Sequence, residues 1–134
     1  MEGAPEGPTL IAIDTSSWIA YLSGAEGADV AIVERLLTDR QACLPPVVLT
    51  ELLSDPQLPR RVEVLFRSLP LLPVTDGYWE RAGGLRAKLI GRRRRARLAD
   101  TLIAQSCLDH DVALVTRDAD FRHFSRVARL KLLV

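Results

Sequence analysis

The feature that most constrains the fold is a set of short, wholly apolar segments that alternate with helical patterns. The apolar segments lie at residues 10–13, 42–44 and 112–115, with a further short one at 71–74. A last predicted strand at 130–134 is apolar except for Lys131. Apolar residues recur with helical spacing at residues 15–22, 29–38, 47–53, 61–69, 78–90 and 100–110. Strands that alternate with helices form βαβ units, so we predict an α/β fold with a mainly parallel sheet. We expect Thr15 or Ser16 to cap the first helix, and Thr75 or Asp76 to cap the helix at 78–90.

Length and composition fit one globular domain. The chain has 134 residues, of which 48% are hydrophobic and 26% are charged, a balance typical of globular proteins. Residues 1–8 are acidic and rich in proline and glycine, so we predict a short flexible lead at 1–8 and a single domain at 9–134. The two cysteines fit neither a disulfide framework nor a metal-binding spacing, and no apolar run is long enough to span a membrane. We therefore expect a cytoplasmic protein without a membrane partner.

Acidic residues gather where the predicted parallel strands end. Asp14 directly follows the first strand, and Asp118 and Asp120 follow the strand at 112–115. Glu51 lies among aliphatic residues on a predicted helix, and Asp100 lies at the start of another. Because ligands bind beyond the carboxyl ends of the strands in open α/β sheets, we expect these acids to converge there.

Each acid also has a purely structural interpretation. Asp14 and Asp100 are typical of helix N-caps or first turns. Glu51 is compatible with the polar face of an amphipathic helix, and Asp118 and Asp120 are common turn residues.

Taken together, the acids favour a metal site. Grouped carboxylates repel one another unless positive charge lies between them. Hard cations with oxygen ligands supply that charge, so Mg²⁺ or Mn²⁺ fits the set. Zn²⁺ fits poorly, since no histidine or cysteine accompanies the acids. The chemistry that uses such a site is metal-assisted attack of water on a phosphodiester.

Four segments, in this order along the chain, resemble the motif blocks of PIN domains. They are Ile13-Asp14-Thr15-Ser16, Pro46-Val47-Val48-Leu49-Thr50-Glu51-Leu52, Leu98-Ala99-Asp100-Thr101-Leu102-Ile103-Ala104 and Val115-Thr116-Arg117-Asp118-Ala119-Asp120-Phe121. More narrowly, the chain resembles the toxin ribonucleases of type II VapBC toxin–antitoxin systems. The resemblance implies a three-layer α/β/α sandwich, Mg²⁺- or Mn²⁺-dependent cleavage of RNA, inhibition by a cognate antitoxin, and a homodimer.

The same resemblance implies roles for individual residues. Carried over by position, the catalytic and metal-binding acids are Asp14, Glu51, Asp100 and Asp118. Asp120 would be a further, outer metal ligand. Ser16 and Thr116 match small hydroxyl residues that line the site in this family.

An arginine run directly precedes Asp100 and consists of Arg92, Arg93, Arg94, Arg95 and Arg97. By itself such a run is typical of a solvated loop. Beside an acidic site, it would attract the RNA phosphates that the acids repel. We therefore predict that the arginine run binds RNA.

Two other classes of function compete with a ribonuclease. A non-catalytic RNA- or protein-binding module on the same fold would keep the arginine run and tolerate loss of acids. A receiver-like phospho-acceptor domain would need paired acids after the first strand and a lysine at the end of the last. Only Asp14 follows the first strand, and Lys131 lies within the last predicted strand, which disfavours the receiver-like class.

Overall fold

The centre of the fold is a parallel sheet whose middle strand is the first in the chain. The structure, a computed structural model, describes residues 9–133, so the predicted lead at 1–8 and Val134 lie outside the described residues. The strands are β1 (Ile11–Ile13), β2 (Ala42–Cys43) and β3 (Leu114–Val115), in the sheet order β2–β1–β3. Both strand pairs are parallel, as predicted.

β1 is wholly apolar because it is enclosed on every side. Its backbone amides alternate between the two neighbours, with Ile11 donating to Gln41 O at 2.8 Å and Ala12 donating to Ala113 O at 2.9 Å. Ala12 and Ile13 have no exposed surface. A strand with partners on both edges and helices on both faces can carry no polar side chain without a buried partner.

The outer segments of the sheet are shorter than predicted. Leu71 forms a single parallel bridge with Leu44, and Leu132 forms one with Leu114. The predicted segments at 71–74 and 130–134 therefore each add one bridging residue rather than a full strand.

Helices flank the sheet, as expected for an α/β fold. Within residues 9–133 they are α1 (Thr15–Leu22), α2 (Ala28–Thr38), α3 (Pro46–Leu53), α4 (Arg60–Ser68), α5 (Tyr78–Gly91), α6 (Leu98–Asp109) and α7 (Arg122–Ala128). The first six lie close to the predicted helices. A 3₁₀ turn (Ala119–Phe121) and α7 follow β3, where the sequence pattern predicted only a turn. No helix among residues 9–133 is long and apolar enough to cross a membrane.

Two helix caps differ from the prediction. Asp14 is the N-cap of α1, in place of Thr15 or Ser16, and its carboxylate accepts a hydrogen bond from the Ser16 backbone amide. Gly77, in the left-handed region at φ 81°, is the N-cap of α5 in place of Thr75 or Asp76. Spacing alone does not decide between adjacent candidates: Thr15 and Ser16 donate instead to Glu51 and Asp14, and Thr75 contacts Arg81 and Asp109.

Two aromatic pairs contribute to the buried core. Trp18 of α1 meets Phe66 of α4 edge to face, with ring centroids 5.2 Å apart. Phe121 and Phe124 pack at 5.7 Å below the turn that follows β3. All four rings are fully buried.

Candidate active site

The acidic residues meet where β1 and β3 end side by side. The backbone amide of Asp14 donates to Val115 O at 2.8 Å, which places the residue after β1 beside the last residue of β3. Helix α6 carries Asp100 in its first turn and packs against α3, which carries Glu51. Parallel strands thus deliver their acids to one edge, as the sequence predicts.

The tightest cluster consists of Asp100, Asp118 and Asp120. One carboxylate oxygen from each residue lies within 4.8 Å of the others, and all three side chains are partly buried. The amide of Asp118 donates to Thr116 Oγ1 at 3.0 Å, and the amide of Asp120 donates to Asp118 Oδ1 at 2.9 Å. These local hydrogen bonds fold the turn after β3 so that both of its acids face Asp100.

Asp14 lies beside this cluster and is held by two hydroxyl groups. Its Oδ2 atom accepts hydrogen bonds from Ser16 Oγ at 2.6 Å and from Thr116 Oγ1 at 2.9 Å. Burial raises the pKa of Asp14 above its ordinary value, while these hydrogen bonds act in the opposite direction. The structure thus places both predicted hydroxyl residues against Asp14.

Glu51 reaches the same edge from α3. Its side chain is exposed, and Oε1 accepts a hydrogen bond from Thr15 Oγ1 at 2.6 Å. Asp14 and Glu51 both lie outside the 4.8 Å cluster. Thr15 is a site neighbour that the sequence analysis missed, since the pattern marked it only as a candidate cap; its one sequence signal is a hydroxyl adjacent to Asp14.

The pKa of Asp100 reflects both its burial and the charges of the neighbouring acids. Burial raises the pKa of Asp100 to about 6, and the charges of Asp14, Asp118 and Glu51 act in the same direction, against the opposing charge of Arg97. All four acids singled out by the resemblance therefore lie within electrostatic reach of one another. Desolvated carboxylates that repel one another and offer only oxygen donors fit a hard divalent cation.

The arginine run forms an exposed loop between α5 and α6 at the rim of the site. Arg95 Nη1 lies 3.7 Å from Asp120 Oδ2. Helix α5 holds this loop in place, since Arg86 Nε donates to Ala96 O at 2.8 Å and the Ala96 side chain is buried. The run therefore borders the acidic cluster, which distinguishes it from a solvated loop remote from any site.

Lys131 lies at the opposite edge of the sheet from the acids. It pairs with Asp111, which precedes β3, at an Nζ–Oδ1 distance of 2.9 Å. The receiver-like class, which needs a lysine beside the acids, is therefore wrong for this fold.

Comparison with known proteins identifies the family of this chain. A family model described as the PIN domain matches residues 11–129. Ribonuclease VapC11 of Mycobacterium tuberculosis (strain ATCC 25618 / H37Rv) is 33% identical over 131 residues, covering 91% of this chain and 96% of the relative. The chain therefore belongs to the PIN-domain family, and within that family to the VapC ribonucleases. The PIN-domain family and the VapC-type ribonuclease class predicted from the four motif segments are confirmed.

Solved structures share the same fold. VapBC2 from Rickettsia felis, bound to a DNA fragment from its promoter, matches with a TM-score of 0.72 at 19% identity, covering 92% of this chain and 97% of that one. DNA-bound VapBC from Salmonella typhimurium matches with a TM-score of 0.70 at 22% identity, covering 93% and 97%. The PIN-like α/β architecture is thus confirmed.

Proposed function

We propose that this protein hydrolyses RNA phosphodiester bonds at the acidic edge of its sheet, with Mg²⁺ or Mn²⁺ as the cofactor. The observation that carries this proposal is the cluster of Asp100, Asp118 and Asp120 within 4.8 Å of one another. Membership of the VapC ribonucleases supports the reaction class.

Asp100, Asp118 and Asp120 would hold the cation, with the charges of Asp14 and Glu51 adding to its attraction. A bound divalent cation lowers the pKa of a water molecule and stabilises the charge that develops on the phosphate. Asp100 would bind it as a carboxylate above about pH 6, where its own proton has left. Below that pH, a proton competes with the cation for the same oxygens.

The remaining residues would orient the site and recruit the substrate. Ser16 and Thr116 fix the carboxylate of Asp14, and Thr15 fixes that of Glu51, through the hydrogen bonds described above. The arginine run supplies exposed positive charge at the rim. It would hold the RNA backbone close to the acids, which by themselves repel phosphate.

We also propose a cognate antitoxin as the protein partner and a homodimer as the assembly. Support comes from the VapBC complexes of R. felis and S. typhimurium that share the fold. The place of action would be the cytoplasm, in keeping with the free, buried thiols of Cys43 and Cys107. Light scattering of the purified chain, alone and with the product of a neighbouring small gene, would measure both associations; a strictly monomeric chain that binds no such product would contradict them.

Cleavage of a labelled RNA by the purified protein tests the catalytic proposal. We expect cleavage with Mn²⁺ or Mg²⁺, none in excess EDTA, and almost none with Asp100→Asn, which keeps the side-chain shape but removes the charge. Asp39→Asn is the matched control, because Asp39 ends α2 just before β2, at the other edge of the sheet. Equal cleavage in EDTA would refute the metal mechanism. RNA binding without cleavage by the wild type would instead indicate the non-catalytic binding module.

A further inference from the structure

Arg117 lies between two residues of the acidic site but binds elsewhere. Thr116 and Asp118 both take part in the site, whereas the Arg117 side chain reaches Asp29 at the start of α2. We propose that the Arg117–Asp29 ion pair positions the turn that carries Asp118 and Asp120, and so sets the affinity of the site for its cation. This inference rests on the proposed metal-dependent function. It adds two positioning residues, neither of which is one of the four acids implied by the resemblance.

The ion pair is bidentate and closely fixed. Arg117 Nε donates to Asp29 Oδ2 at 2.8 Å and Nη2 donates to Oδ1 at 2.9 Å. Nη2 also donates to Glu26 O at 3.1 Å, in the loop between α1 and α2. Two parallel hydrogen bonds between planar groups fix orientation as well as distance.

Asp29 is itself held in one position. Its side chain is only 4% exposed, and Oδ2 also accepts a hydrogen bond from Ser17 Oγ of α1 at 2.8 Å. The hydrogen bond from Arg117 lowers the pKa of Asp29 to about 2. Arg117 is therefore anchored to a carboxylate that α1 and α2 hold jointly, next to the core.

The turn after β3 alternates between these two attachments. The chain bends at Arg117, between the end of β3 and the 3₁₀ turn, and the three side chains at residues 116–118 reach different partners. Thr116 bonds to Asp14, Arg117 bonds to Asp29, and Asp118 returns to the acidic cluster. Fixing Arg117 thus fixes the direction in which Asp118 leaves the sheet.

The Arg117–Asp29 ion pair packs against the backbone of Gly27. A Cβ atom at residue 27 would lie 2.6 Å from Asp29 Oδ1 and 2.9 Å from Arg117 Nη2. The paired groups therefore pack directly against the glycine backbone, and no side chain fits between. Substituting this glycine would displace the pair without removing either charge.

The chain contains a second bidentate pair that serves as a matched control. Arg81 donates to Asp109 from Nε at 3.0 Å and from Nη2 at 2.6 Å. The arginine side chains of the two pairs are similarly exposed, 42% for Arg81 and 38% for Arg117. Asp109 ends α6, whereas Asp100 lies in its first turn, so this pair joins α5 to α6 away from the acidic cluster.

The test compares Arg117→Lys with Arg81→Lys. Lysine keeps the charge beside a buried aspartate but cannot form both hydrogen bonds, so each variant should fold with a similar small loss of melting temperature. Hydrogen exchange without metal measures the order of the turn through the Asp118 and Asp120 amides. Calorimetry with Mn²⁺ measures the affinity of the site.

For Arg117→Lys we expect both amides to exchange at least about tenfold faster, and the Mn²⁺ dissociation constant to rise at least about tenfold, a loss of about 1.4 kcal/mol. Arg81→Lys should change neither. Gly27→Ala should reproduce the Arg117→Lys result with both charges retained. The inference would be overturned if Arg117→Lys kept the exchange rates and Mn²⁺ affinity of the wild type. It would also be overturned if Arg81→Lys changed both by the same amount as Arg117→Lys. If the wild type binds no Mn²⁺, the proposed function fails, while the exchange measurement still decides whether Arg117 positions the turn.

Discussion

Replacing Asp100 with asparagine should stabilise the metal-free protein at neutral pH. The pKa of Asp100 is about 6 in the folded protein against an ordinary value of 3.8. Between these values the folded protein retains a proton that the unfolded chain has released. Folding stability from this group is therefore complete below about pH 4, falls as the pH rises to about 6, and stays low above that. Asparagine cannot ionise and avoids this loss.

The magnitude follows from the pKa shift. At 1.36 kcal/mol per pKa unit, a rise from 3.8 to about 6 corresponds to about 3 kcal/mol. Asp100 is only partly buried, and solvent screening reduces the expected gain to about 2 kcal/mol. For a domain of this length, we expect Asp100→Asn to melt about 7 °C higher than the wild type at neutral pH. The difference should vanish at about pH 3 and below, where Asp100 is protonated in both the folded and the unfolded protein.

Thermal melts in EDTA across this pH range provide the assay, with Asp39→Asn as the control for removing one negative charge at the other edge of the sheet. A parallel series contains Mn²⁺ at about a hundredfold above its dissociation constant, which should stabilise the wild type by about 2.7 kcal/mol. The Asp100→Asn protein should gain much less. A mutant no more stable than the wild type at neutral pH would refute the raised pKa of Asp100. An equal shift by Mn²⁺ in both proteins would refute its ligand role.

Three further predictions concern the arginine run, the hydrogen bond from Thr15 to Glu51, and residues 1–8. Changing Arg92, Arg93, Arg94 and Arg95 to glutamine should weaken RNA binding and flatten its dependence on salt, by about 0.7 in log–log slope for each phosphate that is no longer neutralised; a titration with an unchanged slope would make the run a solvated loop. Thr15→Val should lower the cleavage rate severalfold because the hydrogen bond to Glu51 is removed, with a stability change of about 1 kcal/mol or less. Thr15→Ser should restore the rate, and a normal rate in the valine variant would contradict the support role. Removing residues 1–8 should leave melting and cleavage unchanged, because the described core and acidic site are built from residues within 9–133; a lower melting temperature would contradict the predicted single domain at 9–134.

Two of the acids cap a helix or turn and also lie at the acidic site. Asp14 caps α1 and also lies at the site, and Asp118 caps the 3₁₀ turn and belongs to the acidic cluster. Asp100 differs, because the N-cap position of α6 is Arg97 and its side chain makes no capping hydrogen bond. Asp100 therefore does not cap α6, but it does lie in the first turn, where the helix dipole favours an acid. Its burial among other acids still requires a compensating charge.

The sequence by itself determined the order of the elements and the edge at which the acids lie. An apolar run such as Leu10-Ile11-Ala12-Ile13, in a chain where such runs alternate with helical patterns, predicts a buried parallel strand. The residue that follows it must lie at the carboxyl edge, whatever packs around it. These are local constraints, readable from spacing and polarity, and the four motif segments carry the same information.

The tertiary structure decided which side chains meet. Thr116 bonds to Asp14 across 102 residues, and Arg117 bonds to Asp29 across 88. No periodicity links such positions, because their distance depends on how the sheet and α2 pack. Packing also placed Asp120, with Asp118 and Asp100, in the 4.8 Å cluster while Asp14 lies outside it. Local sequence fixes direction along a strand, whereas distances between acids from different elements depend on the whole core.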